Sequence, residues 1–451
     1  MSEPIDFLFS TPAMSAIFSA EAHVSSILAF EAALAQAEAR ASVIPASAAS
    51  AITAHCRLEL FDINTLYQEA AVAGTLAIPL VRMLTAQIEG EAHKYVHWGA
   101  TSQDALDTAL MMQAREGINQ LVDGLLAICA LCASLAEQHR GTLMIGRTLL
   151  QPALPITFGM KTARWLSMLL RQLQALDEVR TRALAVQLGG AAGTLAALGN
   201  KGPQVVEFLA DSLQLPVPDL PWHTERDRVT HIATVLGVIA GAMAKIAEDL
   251  VLLSQGEVGE AVEQSAPGKG GSSALPQKHN PVYATSALAS SRLALGEVPV
   301  LLAAMVQEHE RGVGGWQAEW IALPNLFRYT ACAVARVQSA LTGLQIDDIR
   351  MRANIELTGG LIMSESLTMA LAHHLGRPVA QSIVKAACEH ASRVDISLQQ
   401  AAMAEEQISS ILTAAEIEQA LDPASYLGSS DIFIDRALKD YHELRIARGG
   451  V

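Results

Sequence analysis

Aromatic side chains are scarce in this chain of 451 residues: nine Phe, six Tyr and five Trp supply only 4% of it. Hydrophobic residues nevertheless make up 51%. The difference is carried largely by Ala and Leu, which favours helix over strand. Basic charge is also short, with 31 Lys and Arg against 46 Asp and Glu and a net charge of −15. That balance argues against nucleic acid and anionic membranes as partners, because both require basic surfaces. It leaves room for an anionic small molecule, since a few cations focused in one cleft suffice. Cysteine is limited to five scattered residues, an odd number, which points to a reducing, cytoplasmic setting rather than a disulfide framework. Cys129 and Cys132 form a CxxC inside an Ala/Leu-rich segment with no second pair nearby; core packing is the expectation, metal or redox chemistry the alternative.

Long clean apolar runs are missing as well. The positive mean hydropathy raises the question of a membrane span, but Lys245, Glu248 and Asp249 interrupt the run after Val229. Residues 183 to 200 are broken by Gly189, Gly190, Gly193 and Gly199. No window of roughly twenty clean apolar residues is expected to span a bilayer. The start, Met1 to Asp6, has no basic region and reads as no signal segment. The apolar surplus suits helices buried on most faces of a large bundle.

What is present is helical periodicity. Ser19 to Arg40 is strongly helical and stops before Ile44-Pro45, with shorter patterns at Ala46 to Arg57 and Asn64 to Ala73. Five long stretches follow: Ala105 to Arg140, Pro155 to Leu188, Arg228 to Gly256, Val282 to Glu310 and Asn325 to Leu344. Each exceeds the average globular helix, and five of comparable length imply a bundle. Gly359-Gly360 opens a shorter helical segment. The expected fold is all-α in three helical domains: residues 1–104, a central long-helix bundle over 105–355, and 356–451.

The polar, Gly- and Pro-rich sequence lies in the connections, where binding residues often sit. Glu263-Gln264-Ser265-Ala266-Pro267-Gly268-Lys269-Gly270-Gly271-Ser272-Ser273 reads as a flexible surface loop or as a mobile lid carrying a serine. Lys278 and Asn280 follow, just before Pro281 and the start of a helix. A helix N-terminus there would add a positive dipole to the lysine charge, a plausible carboxylate site. His93 and His97 are four apart, the spacing of a zinc pair, but no third ligand pattern accompanies them.

Here a resemblance becomes specific. Gly271-Ser272-Ser273-Ala274-Leu275-Pro276-Gln277-Lys278-His279-Asn280-Pro281 resembles the signature of the fumarase/aspartase superfamily, with Leu275 in place of the usual Met. His97-Trp98-Gly99-Ala100-Thr101-Ser102-Gln103-Asp104 and Gly146-Arg147-Thr148-Leu149-Leu150-Gln151-Pro152-Ala153 resemble its two other signatures, in the expected order. The resemblance implies a homotetramer whose central bundles form a twenty-helix core. Each active site would draw one signature from each of three subunits, and no metal or other cofactor is required. It further implies Ser272 and His97 as catalytic residues, with Ser272 abstracting a proton from carbon beside a carboxylate. A serine does so only where donors and a positive field stabilise the charges that form. Lys278 and Asn280 match the family's carboxylate-binding pair, and Thr101, Ser102, Thr148 and Gln151 its polar contacts.

Two departures stand out. Leu149 occupies the position of the family's general-acid histidine, and Thr285 that of the glutamate partnering it. His309-Glu310-Arg311 resembles a segment of the adenylosuccinate lyase branch, but Trp316 and Trp320 replace the Ser and Arg that would clamp a phosphate. The two indoles either wall a pocket or pack a core. Arg311 is either a substrate cation or half of a surface ion pair.

Beyond the signatures, the pattern Phe9-Ser10 … Met14-Ser15-Ala16-Ile17-Phe18-Ser19, the run Glu31-Ala32-Ala33-Leu34-Ala35 and the WQAEW segment Trp316 to Trp320 resemble a bacterial lactonising branch. That implies an isomerase-class reaction on a small tricarboxylate, with one carboxylate adding across a double bond of the same molecule. An adenylosuccinate- or argininosuccinate-type lyase, or an inactive structural relative, remain alternatives.

Overall fold

A computed structural model describes residues 6–264, 270–271, 274–275 and 277–449. The expected helical architecture is found. The five long helices run over Ser102–Gln138, Phe158–Arg182, Asp227–Ser254, Val282–Ala303 and Gly315–Leu341. Four begin within three residues of the periodic stretches read from the sequence. The fifth begins ten residues early, because Pro324 lies inside the helix rather than before it. Proline removes one backbone donor and crowds the preceding turn, so its usual reading is a boundary; here surrounding burial overrides that preference. The helix Phe158–Arg182 ends before the Gly-rich stretch, and residues 184 to 190 follow without regular structure.

The chain divides into two compact units. The first comprises Met1–Leu125, Gln172–Ala244 and Ser286–Arg336; the second comprises Leu126–Arg171, Lys245–Thr285 and Val337–Val451. In the first unit the helices Ser102–Gln138 and Gly315–Leu341 approach through missing side chains. A Cβ at Gly117 would lie 2.8 Å from the Phe327 ring, and one at Gly124 would lie 2.7 Å from Val334. Close-packed interiors tolerate no such overlap, so glycine sets this interhelical distance. In the second unit Leu367, Leu371, Val384, Leu398, Ile408 and Ile417 form a core of their own beneath the C-terminal helices.

Two features depart from the sequence reading. Two helices, Ser102–Gln138 and Val282–Ala303, are in fact long and apolar enough to cross a membrane by length and composition, although no such window was expected. The discrepancy arises because an 18-residue window averages over isolated charges, such as Asp123, that a reading for clean runs rejects. Inside the chain 44% of that window is buried in the first helix and 28% in the second. Second, the fold contains short sheet. Strand Leu143–Thr148 pairs antiparallel with Gln151–Thr157, and Ala261–Val262 pairs with Gln345–Ile346. The first hairpin is the second signature motif, which the helical reading passed over.

Candidate active site

In the first unit the signature from His97 to Asp104 forms a turn that leads into the long helix at Ser102. Asp104 organises it. This carboxylate is fully buried and accepts four hydrogen bonds. Oδ2 takes the N–H groups of Thr101 and Gly190, both at 2.9 Å, and Oδ1 takes the Gly189 N–H at 2.9 Å and His223 Nε2 at 2.7 Å. A buried carboxylate persists only when its lone pairs are satisfied. Gly190 has φ +68°, and a Cβ there would come within 2.8 Å of the Gly99 carbonyl, so the two loops touch backbone to backbone. Thr101 and Ser102 are thereby fixed at the N-terminus of the long helix.

His97 sits at the head of this turn with φ +56°, a left-handed conformation uncommon outside glycine. Its Nδ1 lies 2.6 Å from Oε1 of Glu31, a carboxylate only 1% exposed on the helix Ala20–Arg40. Burial, the largest single influence, disfavours the imidazolium. The Glu31 charge, the hydrogen bond to it and the Asp104 charge together outweigh burial, so His97 titrates above the ordinary histidine value. His93 is placed differently: it is exposed, and its Nδ1 lies 2.6 Å from the Gly90 carbonyl in its own turn. Among the described residues no group of three His, Cys, Asp or Glu has the arrangement of a metal site.

Arg311 joins this cluster. Its guanidinium donates to Gln103 Oε1 at 3.3 Å and to the Ala191 carbonyl at 2.8 Å. These contacts place it beside the Thr101-Ser102 turn, rather than in a surface ion pair with a neighbouring glutamate. Beneath it lies a buried charge network. Arg226 is bidentate to Asp107 at 2.7 and 3.0 Å and also bridges to Glu319. The two tryptophans part ways at this point. Trp316 is buried and donates from Nε1 to Asp107 at 2.9 Å. Trp320, packed edge-on against it, lines a cavity of about 570 Å³ with Phe18, His23, Leu106 and Arg328. Its buried Nε1 has no partner among the described residues.

In the second unit the hairpin presents Thr148 and Gln151 as an exposed pair closing a two-residue turn. The turn residues are Leu149 and Leu150, at φ +49° and +66°. A positive φ at both positions is the mark of a type I′ turn, normally filled by Asn and Gly. Here two leucines take it, 97% and 70% exposed. Arg147 anchors the hairpin through a bidentate bridge to the buried Glu260 at 2.8 and 2.6 Å, which also accepts from Asn354 at 2.8 Å.

Lys278 is exposed and Asn280 half-buried, four and two residues before the helix Val282–Ala303. Asn280 donates from both its backbone N–H and its side chain to the Gly270 carbonyl, at 3.0 and 3.1 Å. The N–H groups of Tyr283 and Ala284 are taken by the Glu263 carboxylate. The dipole expected to help bind an anion is therefore already capped from within the chain. Ser272 lies outside the described residues, as do Ser273, Pro276 and residues 265–269 of the expected lid. Thr285 is exposed and donates to the Pro281 carbonyl at 2.8 Å, which ties its hydroxyl to its own helix. Cys129 and Cys132 are buried in the long helix. Burial pushes the Cys129 thiol up to about 12 and that of Cys132 well above its usual range.

Sequence reasoning missed Glu31, Glu260 and the Asp107–Arg226–Glu319 network. The bonded partners lie 66 to 119 residues apart, and no local pattern joins them.

A family model described as Lyase matches residues 7–294, and one described as Adenylosuccinate lyase C-terminus matches residues 360–437. The chain is 44% identical over 442 residues to a 3-carboxy-cis,cis-muconate cycloisomerase of Pseudomonas aeruginosa, covering 97% of this chain and 96% of that one. It is 44% identical over 434 residues to a protein of the same name from Bradyrhizobium diazoefficiens, covering 96% of each. Among solved structures, a 3-carboxy-cis,cis-muconate lactonizing enzyme from Pseudomonas putida matches with a TM-score of 0.93 at 42% identity, covering 98% of this chain and 99% of that one.

Proposed function

The chain belongs to the lyase family of the fumarase superfamily, and from that premise we propose that it is a cycloisomerase converting 3-carboxy-cis,cis-muconate to 4-carboxymuconolactone. The observation that carries this reading is the end-to-end similarity to cycloisomerases, at 44% identity over 97% of the chain. In the reaction one carboxylate oxygen bonds to an alkene carbon. The π electrons move toward the neighbouring carboxylate, and the adjacent carbon then takes a proton. Donors and cations aimed at the growing charge supply most of the acceleration.

On this reading Ser272 handles the proton at carbon. Lys278 and Asn280 meet one substrate carboxylate, and Arg311 a second beside Thr101 and Ser102. Thr148 and Gln151 contribute polar contacts from the hairpin. His97 supplies a charged imidazole. The site is shared among subunits of a homotetramer. The hairpin supports this, because two leucines exposed at a strained turn carry a hydration cost that a covering partner removes and a conformational cost that its contacts offset. A reducing, cytoplasmic setting goes with this reading, supported by five cysteines free of disulfides.

The name attached to the C-terminal match suggests an adenylosuccinate lyase instead. The indole of Trp316 is engaged with Asp107, and neither it nor Trp320 can replace a phosphate-binding Ser or Arg. The test is spectrophotometric. Purified protein is mixed in turn with 3-carboxymuconate, adenylosuccinate and argininosuccinate, and the ultraviolet absorbance is followed. Loss of the diene absorbance with muconate alone is expected. Cleavage of either succinate with no action on muconate would overturn the reading.

A further inference from the structure

We propose that Glu31 is a positioning residue for His97: it holds the imidazole with a proton on Nδ1 and keeps the ring charged, leaving Nε2–H as a fixed cationic donor to a substrate carboxylate. The proposal rests on the reading of His97 as a site residue. Its own basis is geometric. Glu31 is buried, its Oε1 lies 2.6 Å from Nδ1, and its Oε2 has no partner among the described residues. An ionised carboxylate in such a place requires an opposite charge, and His97 is the partner the structure gives it. His97 in turn is held in a left-handed conformation. Strain of that kind persists where the surroundings over-determine it, as functional sites do.

Other titratable groups act on His97 or on its partner Glu31. Asp104, on the long helix, adds negative charge but is itself saturated by four donors, one of them His223. Glu38 lies seven residues beyond Glu31 on the same helix, buried, with neither oxygen partnered among the described residues. Burial, reinforced by the Glu31 charge, pushes its carboxyl up to about 9, and the same causes push the Cys56 thiol up to about 12. Both are neutral at pH 7. Among the described residues Glu31 is thus the carboxylate in direct contact with the ring. No covalent role follows for His97. Its Nε2–H stabilises the charge that gathers on the substrate carboxylate as the new C–O bond forms.

The test is the pH dependence of kcat, which reports groups in the substrate complex. If the imidazolium is the active form, activity falls as pH rises through the His97 value. Glu31→Gln removes the charge at nearly constant shape. It should move that alkaline limb down by at least about one pH unit, as expected for losing an adjacent opposite charge. Glu31→Asp keeps the charge one methylene further back and should move the limb by less, and it serves as the second probe should the Gln variant fold poorly. Glu38→Gln should leave the limb in place, because Glu38 is already neutral. An unmoved limb in Glu31→Gln or Glu31→Asp, with activity lost in His97→Asn, would overturn the role of Glu31 alone. Normal turnover with an intact limb in His97→Asn would overturn the assignment of His97 to the site, and this proposal with it.

Discussion

Replacing Glu38 by Gln should stabilise the protein, and by an amount that grows with pH. Glu38 lies within the helix Ala20–Arg40 with no exposed surface, and neither carboxyl oxygen has a hydrogen-bond partner among the described residues. Burial, and next the charge on Glu31, raise its carboxyl from 4.5 to about 9. The sign follows from linkage. The folded protein holds a proton that the unfolded chain releases above its own value near 4.5. Stability therefore falls as pH rises from there, until the folded carboxyl also ionises near 9. Each pH unit in that window costs roughly 1.4 kcal/mol, so about 3 kcal/mol is lost between pH 4.5 and 7. The amide cannot ionise and contributes no such slope. The assay is urea unfolding of both proteins at pH 6, 7 and 8, at matched concentration because assembly shifts apparent stability. The difference in favour of Glu38→Gln should widen by roughly 1.4 kcal/mol per pH unit. A difference that stays constant with pH would mean that Glu38 is ionised in the folded protein, and the reasoning from its burial would fail.

Other substitutions separate the roles assigned to the site. Ser272→Ala should lower turnover by at least about a hundredfold, as for loss of a proton-transfer group, with little change in substrate binding; near-normal kcat moves that role elsewhere. Lys278→Met should weaken binding and turnover together, since the substrate carboxylate meets that charge in both ground and transition states. An effect on kcat alone, seen in steady-state kinetics, would contradict it. Leu149→His combined with Thr285→Glu should not speed lactonisation; a tenfold faster double variant would refute the account of the missing acid–base pair.

How much of this was legible in the sequence depends on the range over which each interaction acts. Helix periodicity is local, and the long helices start close to where the apolar spacing places them. The exception is the helix that runs through Pro324, where tertiary burial overrides a local breaker. The hairpin Leu143–Thr157 was missed for a related reason. Its turn is built from Leu149 and Leu150 rather than from Asn and Gly, so the usual marker is absent. Within the first unit, Thr101, Ser102, His97 and Arg311 were identified by motif, and the structure gathers them about Asp104 and Gln103. What holds them there was not legible. Glu31 reaches His97 from 66 residues away, and Asp107 takes Arg226 from 119 residues away. A motif names the residues that meet a substrate. The buried partners that orient them come from other parts of the chain, and only folding identifies them.

The missing acid–base pair acquires a rationale from the chemistry proposed. A lyase that expels an amine or hydroxide must protonate a strongly basic leaving group, and general acid catalysis there is worth roughly a hundred- to ten-thousandfold. A carboxylate with a free value of roughly 4 attacks or departs at neutral pH without any proton. At that end of the reaction a histidine and its glutamate have nothing to do. The structure is consistent with their replacement by inert groups: Leu149 is an apolar side chain at the tip of the hairpin, and the Thr285 hydroxyl is bonded to the Pro281 carbonyl of its own helix. The carbon end still exchanges a proton and still gathers negative charge. The features kept in the sequence are the ones that this end requires: a serine, a lysine, an arginine, and a histidine paired with a buried carboxylate. On the proposed reading, acid–base function is absent where the leaving group makes it unnecessary, and cationic stabilisation is kept where charge develops.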